Sequence, residues 1–124
     1  MKTLILASLA SLIVTAIAAP AHSQATDAAP GERLFQQRCG ACHQLATTRN
    51  GVGPHLQGVI GRSAGSIEGF KYSPALKGAG VTWTPETLET FLTSPGAMVR
   101  GTRMTQRFNN AEERRAIIEF LGSH

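Results

Sequence analysis

Two cysteines in this chain are separated by two residues, and a histidine follows the second at once: Cys39-Gly40-Ala41-Cys42-His43. Thiols at this spacing reach two vinyl groups on adjacent pyrrole rings while the next residue turns its imidazole beneath a central iron. The pentapeptide is the attachment sequence of a c-type haem. Cys39 and Cys42 then become thioethers and His43 an axial iron ligand. Three other readings are weaker. A thioredoxin-like dithiol requires a strand before the motif and a parallel sheet around it, and neither pattern is visible. A structural zinc site needs four ligands, but beyond these three the chain offers only His22, His55, a His124 at an end expected to fray, and scattered carboxylates, none at zinc-finger spacing. A short disulfide would use both thiols and leave His43 without a part.

The elements that must position this motif are sparse. At 124 residues the chain holds one small domain. Its 42% hydrophobic and 16% charged content is too apolar for disorder, while 13 Gly and 6 Pro interrupt it too often for long helices. Few side chains are aromatic, so the protein's own core would be thin and a bound group is expected to fill it.

Residues 1–23 read as a secretory signal peptide: Lys2 gives a positive start, Thr3 to Ala18 carry no charge, and small residues offer cleavage sites between 18 and 25. The apolar run is too short for a stable membrane anchor. The domain is expected to occupy residues 24–124, exported to the periplasm.

Asp27-Ala28-Ala29-Pro30 is a helix start, with Leu34 and Phe35 on an apolar face that leads into the motif. Thr47 to Gly69 is dense in Gly and has no sustained period, so it reads as a long functional loop wrapped around a flat cofactor. Ser73-Pro74 opens a short helical turn that Gly78 and Gly80 close. Thr84-Pro85-Glu86 starts a helix whose Leu88, Phe91 and Leu92 recur at helical spacing until Ser94-Pro95 ends it. Asn110-Ala111-Glu112-Glu113 predicts a capping box, and Ile117, Ile118, Phe120 and Leu121 the apolar face of a last helix ending at Gly122. The pattern predicts an all-α fold without strands.

Several blocks beside the motif carry a family resemblance over nearly the whole expected mature chain: Gly31 and Phe35, Gly53-Pro54-His55-Leu56, Gly58-Val59-Ile60-Gly61-Arg62, Gly69-Phe70-Lys71-Tyr72-Ser73, Trp83, and Gly101-Thr102-Arg103-Met104. In order and spacing they resemble the class I c-type cytochromes, in particular the small bacterial cytochromes c2 and mitochondrial cytochrome c. The resemblance implies the small cytochrome c fold, with crossing terminal helices, Gly31 facing Phe120, and loops wrapping one covalently bound haem c. It also implies Met104 as the second axial ligand, with Met98 a core or near-surface side chain. Pro54 would accept the Nδ1 proton of His43. Arg62, Tyr72 and Trp83 match positions that hydrogen-bond the inner haem propionate, and Thr102 lies in the ligand loop as a further cofactor contact. The chain departs from the family pattern at Phe91, where a Tyr is common, at Arg100, where a Pro is common, and at Gln106, where an aromatic often covers the haem edge; Phe108 is a candidate replacement.

The net charge of +4 falls to +3 if Lys2 leaves with the signal peptide. That modest excess suits steering toward acidic docking surfaces on membrane or soluble redox proteins, and it is too sparse for nucleic-acid binding. By resemblance Arg38 and Arg103 belong to a ring of cations around the haem edge, with Arg100 and Arg107 beside them. The expectation is a monomeric one-electron carrier with His/Met ligation that transforms no substrate. The competing classes are a peroxidase-type enzyme or gas sensor, which would need an open iron, and a thiol or metal module.

Overall fold

Prolines and hydroxyl side chains set most of the helix starts. In the computed structural model, which describes residues 28–124, five helices form: α1 (Ala28–Arg38), α2 (Pro74–Lys77), α3 (Pro85–Thr93), α4 (Pro95–Met98) and α5 (Ala111–Gly122). The expected signal peptide, the boundary at residue 24 and the helix-start residue Asp27 lie outside the described residues.

Ser73 caps α2 by accepting from the Leu76 amide at 3.1 Å, with Pro74 at the first helical position. Thr84 caps α3 through a reciprocal pair with Thr87, each side chain accepting from the other's amide. Thr87 does here what Glu or Gln usually does. At α5 the outcome differs from the sequence expectation. The Asn110 carboxamide accepts from the amides of Glu112 and Glu113 at 2.8 and 3.2 Å, but no return bond from Glu113 completes a capping box. The Glu113 carboxylate instead meets Arg38 of α1 at 3.1 Å. An ion pair across helices has displaced the local bond.

α1 and α5 cross closely because Gly31 has no side chain. A Cβ there would stand 2.4 Å from the Ala116 carbonyl oxygen and 2.7 Å from Phe120 Cβ, inside any allowed contact. The Phe35 and Phe120 rings then pack at 5.7 Å between centroids. The chain end is also fixed, contrary to the fraying expected at His124. Its ring lies 4.3 Å from that of Phe120, its Nδ1–H donates to the Phe120 carbonyl at 2.8 Å, and its own carbonyl accepts from Gly58.

The long Gly-rich loop runs from the haem motif to α2 without a helix. Among the described residues there is no strand, only one isolated antiparallel bridge between Ser63 and Thr82. Around it Gly61 donates to the Trp83 carbonyl at 2.7 Å and Trp83 donates to the Arg62 carbonyl at 2.9 Å, which ties the loop to the residues before α3. Val59, Phe108 and Ile117 are almost inaccessible. The buried faces of α3 and α5 also line a cavity, so the helices alone do not complete the core.

Candidate functional site

The cavity has a volume of about 530 Å³ and is lined by the turn after α1, the Gly-rich loop, the segment from Thr102 to Gln106, and α3 and α5. That size falls within the roughly 300–1,000 Å³ of small-molecule and cofactor sites. All nine residues proposed from the sequence line it: Cys39, Cys42, His43, Pro54, Arg62, Tyr72, Trp83, Thr102 and Met104. Residues up to 65 positions apart in the chain thus share one space.

The first wall grows directly out of α1. The amides of Cys39 and Gly40 both donate to the Phe35 carbonyl at 2.8 Å, and those of Cys42 and His43 donate to the Cys39 carbonyl at 3.0 and 2.9 Å. This turn leaves Cys39 buried and Cys42 exposed, with neither thiol in a disulfide. Burial pushes the Cys39 thiol up to about 11, against the smaller opposing effect of Arg38. A thiol held neutral is a poor nucleophile and a poor thiol-exchange centre.

His43 Nδ1 lies 2.8 Å from the Pro54 carbonyl oxygen, so Nδ1–H donates and Nε2 keeps its lone pair. Burial moves the ring's pKa below the ordinary histidine range, the Pro54 bond acting in the opposite direction. The neutral form is the one that binds a metal. Gly53 makes this placement possible: a Cβ there would lie 2.3 Å from His43 Cε1.

Polar groups gather elsewhere on the lining. Arg62 is half-buried, with Nη2 donating to the His55 carbonyl at 2.9 Å and Nη1 to the Gln57 carbonyl at 3.2 Å. The Tyr72 hydroxyl accepts from the Ile67 amide at 3.1 Å, which leaves its own proton free to donate. The Thr102 hydroxyl is buried without a partner among the described residues. A buried unpartnered hydroxyl is costly, and a carboxylate entering the cavity would satisfy it. Trp83 is buried and meets Phe91 at 5.0 Å between ring centroids, so the Phe that stands where the family often has Tyr packs edge-on against the indole.

These features fit a haem bound through two thioethers: thiols on one wall, a tautomer-fixed imidazole, an orphaned hydroxyl and further donors on the same lining, and an apolar remainder from Leu88, Leu92, Ile117 and Leu121. Cys39 and Cys42 could hold the porphyrin and His43 and Met104 its iron.

Of the other candidates, Arg103 and Gln106 belong to the lining, and Met98, His55, Arg38 and Phe108 fall outside it. Met98 is half-buried against the core, and His55 is buried behind Arg62. Phe108 is fully buried beneath Arg38, with 5.0 Å from the guanidinium carbon to the ring centroid, and does not line the cavity; Gln106 does. Of the two cations that the resemblance places around the haem edge, Arg38 pairs with Glu113 and Arg103 donates to the Lys71 carbonyl at 2.8 Å. Sequence reasoning gave no role to Leu56, Val59, Phe70 and Leu76, which also line the cavity. The first two sit in a loop without period, where burial leaves no pattern to read.

The cytochrome c family profile matches residues 28–124, which are all the described residues. A cytochrome c2 from Rhodomicrobium vannielii is 39% identical over 125 aligned positions, covering 99% of this chain and 97% of its own. A protein named cytochrome c-type cyt cy, from Rhodobacter capsulatus, is 46% identical over 98 residues; these cover 78% of this chain and only 49% of that protein, about half its length. Among solved structures, cytochrome cH from Methylobacterium extorquens superposes with a TM-score of 0.73 at 39% identity, covering 79% of this chain and 99% of the other. Sequence and fold comparisons agree with each other, and the chain belongs to the cytochrome c family as a class I c-type cytochrome.

Proposed function

We propose that this protein is a one-electron carrier that holds one haem c through thioethers at Cys39 and Cys42, with His43 and Met104 as axial ligands. When bound, the haem supplies an iron that alternates between ferrous and ferric states. The protein's own groups do the rest. Pro54 fixes the His43 ring by accepting its Nδ1 proton. The Met104 thioether, soft and uncharged, would hold the iron together with His43 and favour its ferrous state. Arg62, Tyr72, Trp83 and Thr102 are the donors for a buried propionate. The apolar wall excludes water, which keeps the charge change on iron in a medium of low polarity. No substrate is transformed in this reading, which rests on a cavity that gathers a thioether, a fixed imidazole and two thiols in one space.

The same reading has residues 1–23 as a leader cut between 18 and 25, and residues 24–124 as a monomer in the periplasm. No helix of the described residues is long and apolar enough to cross a membrane. Exposed Lys71, Arg100, Arg103 and Arg107 suit redox partners with acidic docking surfaces, and nucleic acid is not a partner.

Optical spectra of wild type and Met104→Ala test this. Wild type is expected to be low-spin in both states, to show the weak red band of ferric iron bonded to thioether sulfur, and to bind carbon monoxide poorly. Met104→Ala is expected to gain carbon monoxide binding, lose the band and fall in reduction potential. A wild type that binds carbon monoxide readily and turns over peroxide replaces the carrier with an enzyme or sensor.

A further inference from the structure

The segment from Arg103 to Arg107 makes no backbone-to-backbone hydrogen bond among the described residues, yet it carries Met104. Its place must therefore be set at its ends. On the N-terminal side the Thr102 amide donates to the Val99 carbonyl at 3.1 Å. On the C-terminal side everything converges on Phe108. Its amide donates to the Leu92 carbonyl at 2.9 Å, one of the last carbonyls of α3 that the helix itself leaves without a partner. Its own carbonyl accepts from Nη1 of Arg114 at 2.6 Å, and its ring is completely buried.

Arg114 is a buried arginine on α5, and its Nε donates to Glu89 Oε1 of α3 at 2.6 Å. One planar guanidinium thus joins α5, α3 and the Phe108 backbone. Both hydrogen bonds have a charged donor, and the one to the Phe108 carbonyl is buried, the setting in which such bonds are strongest, whereas Glu89 stays partly open to water. If Arg114 served only to join two helices, the Glu89 bond would be sufficient. The second arm goes to a loop carbonyl, where only a loop-holding role uses it.

We infer that Arg114, through the Phe108 carbonyl, is a positioning residue for the Met104 loop and sets how long the Met104 sulfur stays on iron. The inference rests on the reading of Met104 as ligand. Arg100 stands where the family often has a stiffening Pro, so this end of the loop bears more of the restraint. Lysine at position 114 keeps the charge but lacks the planar fork that reaches two acceptors together.

The test uses the holoprotein as wild type, Arg114→Lys and Glu89→Gln. Three quantities are read: the red ferric–thioether band, the rate at which ferric protein takes up added imidazole, and amide hydrogen exchange at Phe108 against Ile117 and Ile118 within α5. Arg114→Lys is expected to raise imidazole uptake about tenfold, equivalent to about 1.4 kcal/mol. Exchange at Phe108 should rise similarly while Ile117 and Ile118 stay as in wild type. Glu89→Gln, which loosens Arg114 without removing it, is expected to act in the same direction by roughly two- to threefold. Unchanged uptake in Arg114→Lys overturns the inference, as does α5 exchange that rises in step with Phe108. If Arg114→Lys gives no holoprotein, Glu89→Gln decides alone, and wild-type exchange at its Phe108 overturns the inference. A wild type without the red band overturns the ligand reading and the inference together; a band with unresponsive variants overturns the inference alone.

Discussion

On one side of the cavity, Cys39, Cys42 and His43 continue from the last turn of α1, and the amides of Cys39, Gly40, Cys42 and His43 are tied to carbonyls within a few residues at 2.8 to 3.0 Å. On the other side, Met104 sits in a segment whose restraints come from distant parts of the chain, the Lys71 carbonyl through Arg103 and α3 and α5 through Phe108. The first wall is local in sequence and cheap to order. The second is assembled only once α1, α3 and α5 have packed. Local unfolding begins where fewest bonds must break, so the Met104 side should open first while the His43 side holds. Under the proposed ligation this asymmetry matters, because His43 would keep the cofactor seated while Met104 would tune the iron.

The largest effect should come from breaking the local wall. Cys39→Ala or Cys42→Ala is expected to cut the yield of holoprotein severely, and the chain without haem to lose most of its helical circular dichroism. The physical reason lies in the core: Leu88, Phe91 and Leu92 of α3 and Ile117 and Leu121 of α5 line the cavity, so an empty cavity leaves their apolar surface without a partner. Full helicity without haem would show that the helices support themselves and that the cofactor is not part of the core.

The same asymmetry explains what could be read in advance. The Cys39–His43 wall is legible because its chemistry and its backbone lie in five consecutive residues. The helix starts at Ser73, Thr84 and Asn110 are legible for a similar reason, since a cap and its amides are neighbours. What escaped depends on contacts across the fold. Glu113 looked like half of a capping box and turned to Arg38; His124 looked like a loose end and is held by Phe120 and Gly58. Arg114 gave no signal at all, because nothing in a run of Glu and Arg on an exposed-looking helix start marks the one that is buried. Leu56 and Val59 line the cavity from a loop in which neither helical nor strand spacing exists to reveal burial.

A second substitution sharpens the comparison by straining the local wall without removing chemistry. Gly53→Ala places a methyl group against the His43 ring, 2.3 Å from Cε1 if nothing moves, so the ring or the loop must shift. The expected cost is about 1–3 kcal/mol in denaturant unfolding of the holoprotein. Gly96→Ala is the matched control, since a Cβ there meets nothing within 4 Å and the residue lies within α4. It should be neutral or stabilise by roughly 0.5–1 kcal/mol. Equal effects at the two positions would mean that the His43 wall is as compliant as an exposed helix and that the proposed asymmetry is absent.

The smallest effect belongs to the exposed anchor of the Met104 side. Arg103 donates to the Lys71 carbonyl at 2.8 Å, but the guanidinium is open to water, which competes for both partners. A bond of that kind contributes about 0.5–1.5 kcal/mol at most. Arg103→Ala should therefore speed imidazole entry to ferric iron by only a few-fold, less than the buried Arg114 does through Phe108. The two restraints act on the same short segment from opposite ends, so their effects should not simply add. With Arg114 in place, loss of Arg103 leaves the loop pinned at Phe108. With Arg114→Lys already present, loss of Arg103 removes the remaining side-chain tie, and imidazole entry in the double variant should exceed the product of the single effects. Strict additivity would mean that the two ends move independently, and the Met104 side would then be two separate contacts in place of one cooperative loop.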